Sequence, residues 1–399
     1  MQRITSLVGL SLACSLAWAQ APTSLRQAFD AAWLRQPAAL AQAPRQALAG
    51  AEHDLARAWT PGPPKLGLST VRGRPGPSNG QQEWEVELAT PLWLPGQRDA
   101  RAGLAQARGG SLAVATEAAR VELAGRLREA WWALAQAHQT LAQADGRVEL
   151  AQALHADVTR RWRAGELARV EALEAQAELQ AARMEALEAR SELAAARSGW
   201  KALTGLAEPA NFDAEPAATT VSLAEHPRWR AAEAEAEIAR ARLTLAERSP
   251  REAPELALRW VRERGASGEP YGQVLGLQLS LPFSSGPRAA ADGAEARAEL
   301  AAAQARADLL RDELALELDR ARQALEAASG RLELAAARAA AAQEVERLWR
   351  KAFELGQIEL ATLLRARAEA RAAAAEVDRA TLARAAAVSK INQSMGVLP

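Results

Sequence analysis

The chain has 399 residues, and its 49 lysines and arginines are balanced by 49 aspartates and glutamates. That balance gives no basic excess for nucleic acid and no acidic excess of the kind that keeps a chain disordered. Aromatic residues are only 4% of the total, while Ala, Leu, Glu and Arg dominate, which suits long helices and coiled coils better than an aromatic-rich globular core.

The first residues, MQRITSLVGLSLACSLAWAQA, read as a cleaved signal peptide over 1–19. Arg3 supplies the charged start, residues 4–16 the apolar segment, and Ala17-Trp18-Ala19 the small-x-small cleavage pattern. Cys14, the single cysteine, lies inside the apolar segment and leaves with the peptide. A lipidated Cys14 is the alternative, with Leu12-Ala13 before it but Ser11 where such a signal prefers Leu. No later apolar run reaches about 18 residues, so no membrane helix is expected.

Downstream the elements come in order. After an initial helical segment, strands are expected at about 64–74 and 82–92, separated by the Gly/Pro-rich loop VRGRPGPSNG. In the second strand Glu83, Glu85 and Glu87 alternate with Trp84, Val86 and Leu88, giving one acidic and one apolar face. Pro91, Pro95 and Gly96 then punctuate the chain, and Arg98 opens a tract with no proline before Pro209. Proline is tolerated at strand ends and helix starts but not in helix interiors. The tract therefore reads as two long helices, 98–164 and 167–204, turned at ArgAlaGlyGlu around Gly165. Leu127, Leu134, Leu141 and Val148 repeat every seven residues, the spacing of a coiled-coil seam.

A linker at 209–220 leads to a second copy of this order over 221–399. Its helix is followed by strands at about 254–264 and 271–283 and by long helices at 288–354 and 358–390, turned at GluLeuGlyGln around Gly356 and Gln357. The first copy spans 20–208. GELARVEALEAQAE at Gly165 and GQIELATLLRARAE at Gly356 lie 191 residues apart; Pro282 stands at the same offset from Pro91, and after a one-residue slip Gly286 and Arg288 stand where Gly96 and Arg98 do.

All four strands alternate with period two, and each is close to the roughly ten residues of a membrane-spanning β-strand. Four strands cannot close a barrel, and open edges cannot sit in lipid because their amides would be unsatisfied. If the strands cross a membrane, several chains must pool them. Three chains pooling four each would make a twelve-stranded barrel, an even number within the bacterial range. Glu83, Glu85, Glu87 and Gln278 would then line a wet lumen. Trp84, Val86, Leu88, Trp93, Trp260, Tyr271 and Phe283 would be lipid-facing or interfacial. A small soluble β-subdomain is the bland alternative.

Catalytic and metal chemistry find little here. His53, His138, His155 and His226 are scattered, without ligand spacing, and no nucleophile elbow or phosphate loop is present. The expectation is no enzyme and no cofactor. Glu171 and Glu174 share a helix face just past Gly165. Trimerised they would stack as acidic rings and favour cations, while the plainer reading is a solvated helix face.

At this point the chain resembles the TolC-like outer-membrane efflux family. The resemblance rests on the duplicated arrangement, on PLWLPGQRDAR at 91–101 and LPFSSGPR at 281–288, and on the turns RWRAGELARVEAL and AFELGQIELATLL. LeuProGlyGlnArg at 94–98 is most similar to the CzcC-type heavy-metal branch. The resemblance implies a homotrimer, a twelve-stranded outer-membrane barrel on a periplasmic α-barrel, and docking to a periplasmic adaptor and an inner-membrane RND-type pump. It places adaptor contact at the tips around Arg161, Gly165, Glu166, Gly356 and Gln357. In the family, acidic residues at the Glu171/Glu174 spacing typically follow the second glycine, where this chain has Thr362 and Arg365. A duct for drugs or other small molecules, and a periplasmic adaptor protein, are the alternatives.

Overall fold

The proline-free tracts are helical over nearly their whole length. A computed structural model describes residues 24–73, 80–218, 222–283, 286–355, 357–358 and 360–399. The signal peptide with Cys14, the loop centre 74–79, the end of the expected linker and Gly356 lie outside the described residues.

Three helices open the chain: α1 (Leu25–Leu34), α2 (Pro37–Leu40) and α3 (Gln42–Arg57). Ser24 caps α1 through a reciprocal capping box with Gln27. Strands β1 (Lys65–Arg72) and β2 (Gln82–Pro91) follow, then the long helices α4 (Gln97–Arg163) and α5 (Arg169–Thr204). The second half runs α6 (Pro227–Arg248), β3 (Glu255–Arg264), β4 (Gly272–Ser280), α7 (Gly286–Glu354) and α8 (Leu360–Ser394). β4 stops short of the expected 271–283, so Pro282 and Phe283 lie beyond it with no regular structure. α4 has 67 residues, which at the α-helical rise makes a rod of about 100 Å.

The strands form one antiparallel sheet in the order β1-β2-β3-β4, with the two halves of the chain joined at the β2–β3 ladder. The outer edges of β1 and β4 have no strand partner among the described residues. The helices make a single layer: α3 and α5 pack on α4, α6 and α8 lie between α4 and α7, and α7 closes the other end.

The core is concentrated midway along this layer. Trp131 and Trp200 lie 5.7 Å apart between ring centroids, and Phe212 meets Trp131 edge-on at 5.4 Å. Phe29, Leu123, Leu127 and Leu134 complete the cluster. Two residues of the seven-residue repeat, Leu127 and Leu134, thus enter an aromatic knot, while Leu141 and Val148 pack on alanine seams further down. There Ala144, Ala186 and Ala189, then Ala151 and Ala182, let α4 and α5 approach closely.

Residues 209–218 form no helix or strand, yet they are strapped to α4. Arg128, 3% exposed, holds both carboxylate oxygens of Glu215 at 2.7 and 2.9 Å. Its Nη1 also donates to Gln393 Oε1 at 2.7 Å and to the Val397 carbonyl at 2.9 Å. Asn392 fixes the same strap, accepting from the Ala218 amide at 2.9 Å and donating to the Pro216 carbonyl at 3.0 Å. A buried charge is tolerable when paired and fully hydrogen-bonded in this way.

Candidate functional site

Residues directly opposite in a ladder share a face of the sheet, so the register sorts every strand side chain. On one face Glu83 stands opposite Glu263, Glu87 opposite Arg259, and Ala89 opposite Ala257. Glu85, Glu255 and Gln278 are on this face too. Five glutamates there meet two cations, Lys65 and Arg259. Arg259 pairs diagonally with Glu85, which also accepts from Ser69 Oγ at 3.4 Å. Lys65 reaches Glu255 at 2.8 Å, across the position where β2 carries the small Ala89.

The other face is apolar over most of its length. Leu66, Leu88, Leu258 and Leu277 form one row, and Leu68, Val86, Trp260 and Leu275 the next. Leu68 is 73% and Leu277 77% exposed. Trp84 lies in the following row toward the loops, beside Arg262. No helix packs on this sheet among the described residues. A contiguous apolar patch of this extent on a protein surface marks a membrane or an interaction site.

At the sheet's other end the chain crosses into helix. Pro91 closes β2 opposite Glu255, and the Leu92 amide bonds the Pro254 carbonyl at 2.7 Å. Gly96 has φ +74°, which a residue with a Cβ adopts only with strain, and Arg248 lies against it. Arg98 donates to the Arg57 carbonyl. Trp93 lies past the strand, half-buried, with Nε1 donating to the Ala58 carbonyl at 3.1 Å and Arg101 5.9 Å from its ring. In the second half Gly286 starts α7, Arg288 makes a loose exposed pair with Glu252 at 3.7 Å, and Phe283 is fully in the open.

The first helix tip is a Schellman motif. Gly165 has φ +80°, its amide bonds the Trp162 carbonyl at 3.0 Å, and the Glu166 amide bonds the Arg161 carbonyl at 3.0 Å. Arg160 and Arg161 both pair with Asp157. At the second tip the Gln357 amide makes the equivalent long-reach bond to the Ala352 carbonyl at 2.9 Å. Glu346 there pairs with Arg350 and Arg367, which hold its carboxyl below the usual range. Glu171 and Glu174 are exposed and form no ion pair among the described residues, while Ala172 and Ala175, each following one of them, are buried.

His226 is the most strongly perturbed group among the described residues. It is buried, accepts from the Arg228 amide at 3.2 Å as the cap of α6, and titrates at about 4 because burial, with Arg228 nearby, disfavours its charged form. No cluster of His, Cys, Asp and Glu that could hold a metal occurs among the described residues. Nor is any described helix long and apolar enough to cross a membrane. The Arg128 strap and the Trp131–Trp200–Phe212 knot were not anticipated from sequence, because both join residues far apart in the chain. Arg262 on the leucine face carried a usable signal: it is three residues from Arg259 and therefore on the opposite face of the strand.

The overall fold is shared with solved membrane-protein structures. The sequence pattern of the family described as outer membrane efflux protein matches residues 28–206. Among solved structures, a membrane protein from Pseudomonas aeruginosa matches with a TM-score of 0.75 at 19% identity, covering 99% of this chain and 98% of that one. The CmeC outer membrane channel of Campylobacter jejuni matches with a TM-score of 0.74 at 14% identity, covering 99% of this chain and 94% of that chain. The outer membrane protein VceC of Vibrio cholerae gives 0.73 at 15% identity, with 94% and 96% covered. No curated protein matches the chain. The chain has the fold of these outer-membrane channels, and its first half carries the sequence pattern of the efflux family.

Proposed function

We propose that the chain is one protomer of a homotrimeric outer-membrane efflux duct, a tandem duplication whose three copies pool their strands into a twelve-stranded barrel. The observation that carries this reading is the sheet: one face acidic, the other leucine-rich and, among the described residues, uncovered and with two open edges. Lipid tolerates the apolar face but not the edges, so closure with other copies satisfies both constraints. The glutamate face then lines the lumen, and α4, α5, α7 and α8 extend the duct through the periplasm. The tips at Gly165 and Gly356 meet a periplasmic adaptor and an inner-membrane RND-type pump, and transport through the duct is passive.

Heavy-metal cations are the proposed cargo. Five glutamates against two cations on the lumen face favour cations, and residues 94–98 resemble the CzcC-type branch. Glu171 and Glu174 form a cation-favouring constriction near the periplasmic mouth.

Fractionation tests the duct directly: recovery in the soluble periplasm without detergent rejects it, whereas detergent-extracted trimers conducting in planar bilayers support it. Deleting the gene and scoring sensitivity to cobalt, zinc, cadmium, copper and silver against a drug panel tests the cargo. Sensitivity to drugs alone overturns the metal assignment. Unchanged cation conductance after Glu171→Gln and Glu174→Gln together sinks the constriction.

A further inference from the structure

The apolar face does not stay apolar up to its loop end. Arg262 stands beside Trp84 in the second-last row, and Arg72 and Arg264 flank Gln82 in the last. These three arginines are on the same face as the leucines, at the end of the sheet farthest from the helices. None of the five strand glutamates shares that face, and none of the three arginines has a carboxylate partner among the described residues. Arg259, on the opposite face, is paired with Glu85.

The rim is built rather than loose. Tyr271 holds two guanidinium groups against its ring, Arg262 at 4.4 Å and Arg264 at 5.1 Å, and donates its hydroxyl to Gln82 Oε1 at 2.5 Å. Arg264 also donates Nε to the Gly80 carbonyl at 3.0 Å. These contacts leave the remaining N–H donors of both arginines for an outside ligand. Directly beneath lies a cleft of about 360 Å³ between Trp84 and Trp260, with Leu68, Val86 and Arg262 in its wall and Glu85, whose strand position faces the other side, also lining it. Arg72 and Arg264 are two strands apart, roughly 10 Å between backbones, so one headgroup can offer a separate phosphate to each side.

We propose that this rim binds a bisphosphorylated glycolipid of the outer leaflet, its phosphates on Arg72, Arg262 and Arg264 and an acyl chain in the Trp84–Trp260 cleft. The chemistry is charge-assisted, bidentate hydrogen bonding of guanidinium to phosphate above a buried hydrocarbon tail. A basic cluster with no carboxylate partner among the described residues, above an apolar face that no strand glutamate shares, fits an anionic amphiphile and disfavours a zwitterionic one. The proposal rests on the outer-membrane reading of the sheet.

The test uses the purified full-length chain in detergent, with binding measured by native mass spectrometry. The probes are bisphosphorylated lipid A, its fully dephosphorylated form, and phosphatidylglycerol. The bisphosphorylated probe is expected to bind about tenfold or more tighter than either other probe. The triple variant R72Q/R262Q/R264Q loses that preference, and the charge-matched helix variant R45Q/R183Q/R384Q keeps it. Equal binding of the dephosphorylated lipid, or of phosphatidylglycerol, overturns the proposal; the wild-type arms decide this even if the triple variant misfolds. A preference retained by a folded triple variant also overturns it. In each of these cases the duct reading stands if the protein is still extracted from membranes only by detergent. Recovery as a water-soluble protein removes both.

Discussion

Midway along α4, Trp131 is 1% exposed and Leu134 fully buried, whereas in β4 Leu275 is 69% and Leu277 77% exposed. Both regions are built from large apolar side chains, but only the first finds its partners within the chain. The knot around Trp131 draws on α1, α4, α5, the strap at 209–218 and the C-terminal Leu398. Among the described residues no helix packs on the sheet, and its apolar surface is left exposed. The same hydrophobic effect that packs the first region would, under the proposed duct, seat the second in lipid.

Four substitutions or conditions separate the two regions, the largest effect first. Trp131→Ala empties the knot and is expected to cost about 3–5 kcal/mol, seen as a lowered unfolding midpoint in detergent. A small loss would mean that the knot is not the core of the helical layer. Leu277→Arg puts a charge into the middle of the apolar face and is expected to cost about 2–4 kcal/mol if that face meets lipid. The readout is the yield of assembled trimer in the outer-membrane fraction. Unchanged yield would place the face in water.

Acid acts on the packed region through His226. Its folded-state value, about 4, lies below the ordinary 6.5, so folding favours the neutral ring. The full contribution is present above pH 6.5 and is lost as pH falls toward 4, up to about 3 kcal/mol. Thermal melts of wild type against His226→Asn between pH 7 and pH 4 should show the wild type losing more. Parallel curves would refute the assignment. The smallest effect is expected at the tip. Gly165→Ala forces a Cβ into φ +80° and costs about 1–2 kcal/mol, read as faster amide exchange in the last turn of α4.

Much of this was legible because the relevant signals are local. Strand alternation at Glu83–Leu88, the absence of proline through α4 and the glycine turn at Gly165 each depend on neighbours a few residues away. The aromatic content suggested no aromatic core, yet Trp131, Trp200 and Phe212 gather from three separate segments into one. Arg128 gave no sign of being buried, since its partners Glu215, Gln393 and Val397 are 87 to 269 residues away. Trp93 looked like another interfacial tryptophan by its position beside a strand. Its indole also bonds the end of α3, a contact that exists only once the β2–α4 corner has formed.

The sequence by itself determined the two-faced strands, the two long hairpins and their capped first tip, because period, proline and glycine act on the backbone within a few residues. Tertiary structure decided how these pieces are shared. The β2–β3 register joins the two halves of the chain, gathers the glutamates on one face, and sets Arg72, Arg262 and Arg264 at the loop end of the other. A shift of one residue in that ladder would exchange the faces of a whole strand, and only the folded sheet can choose between the two.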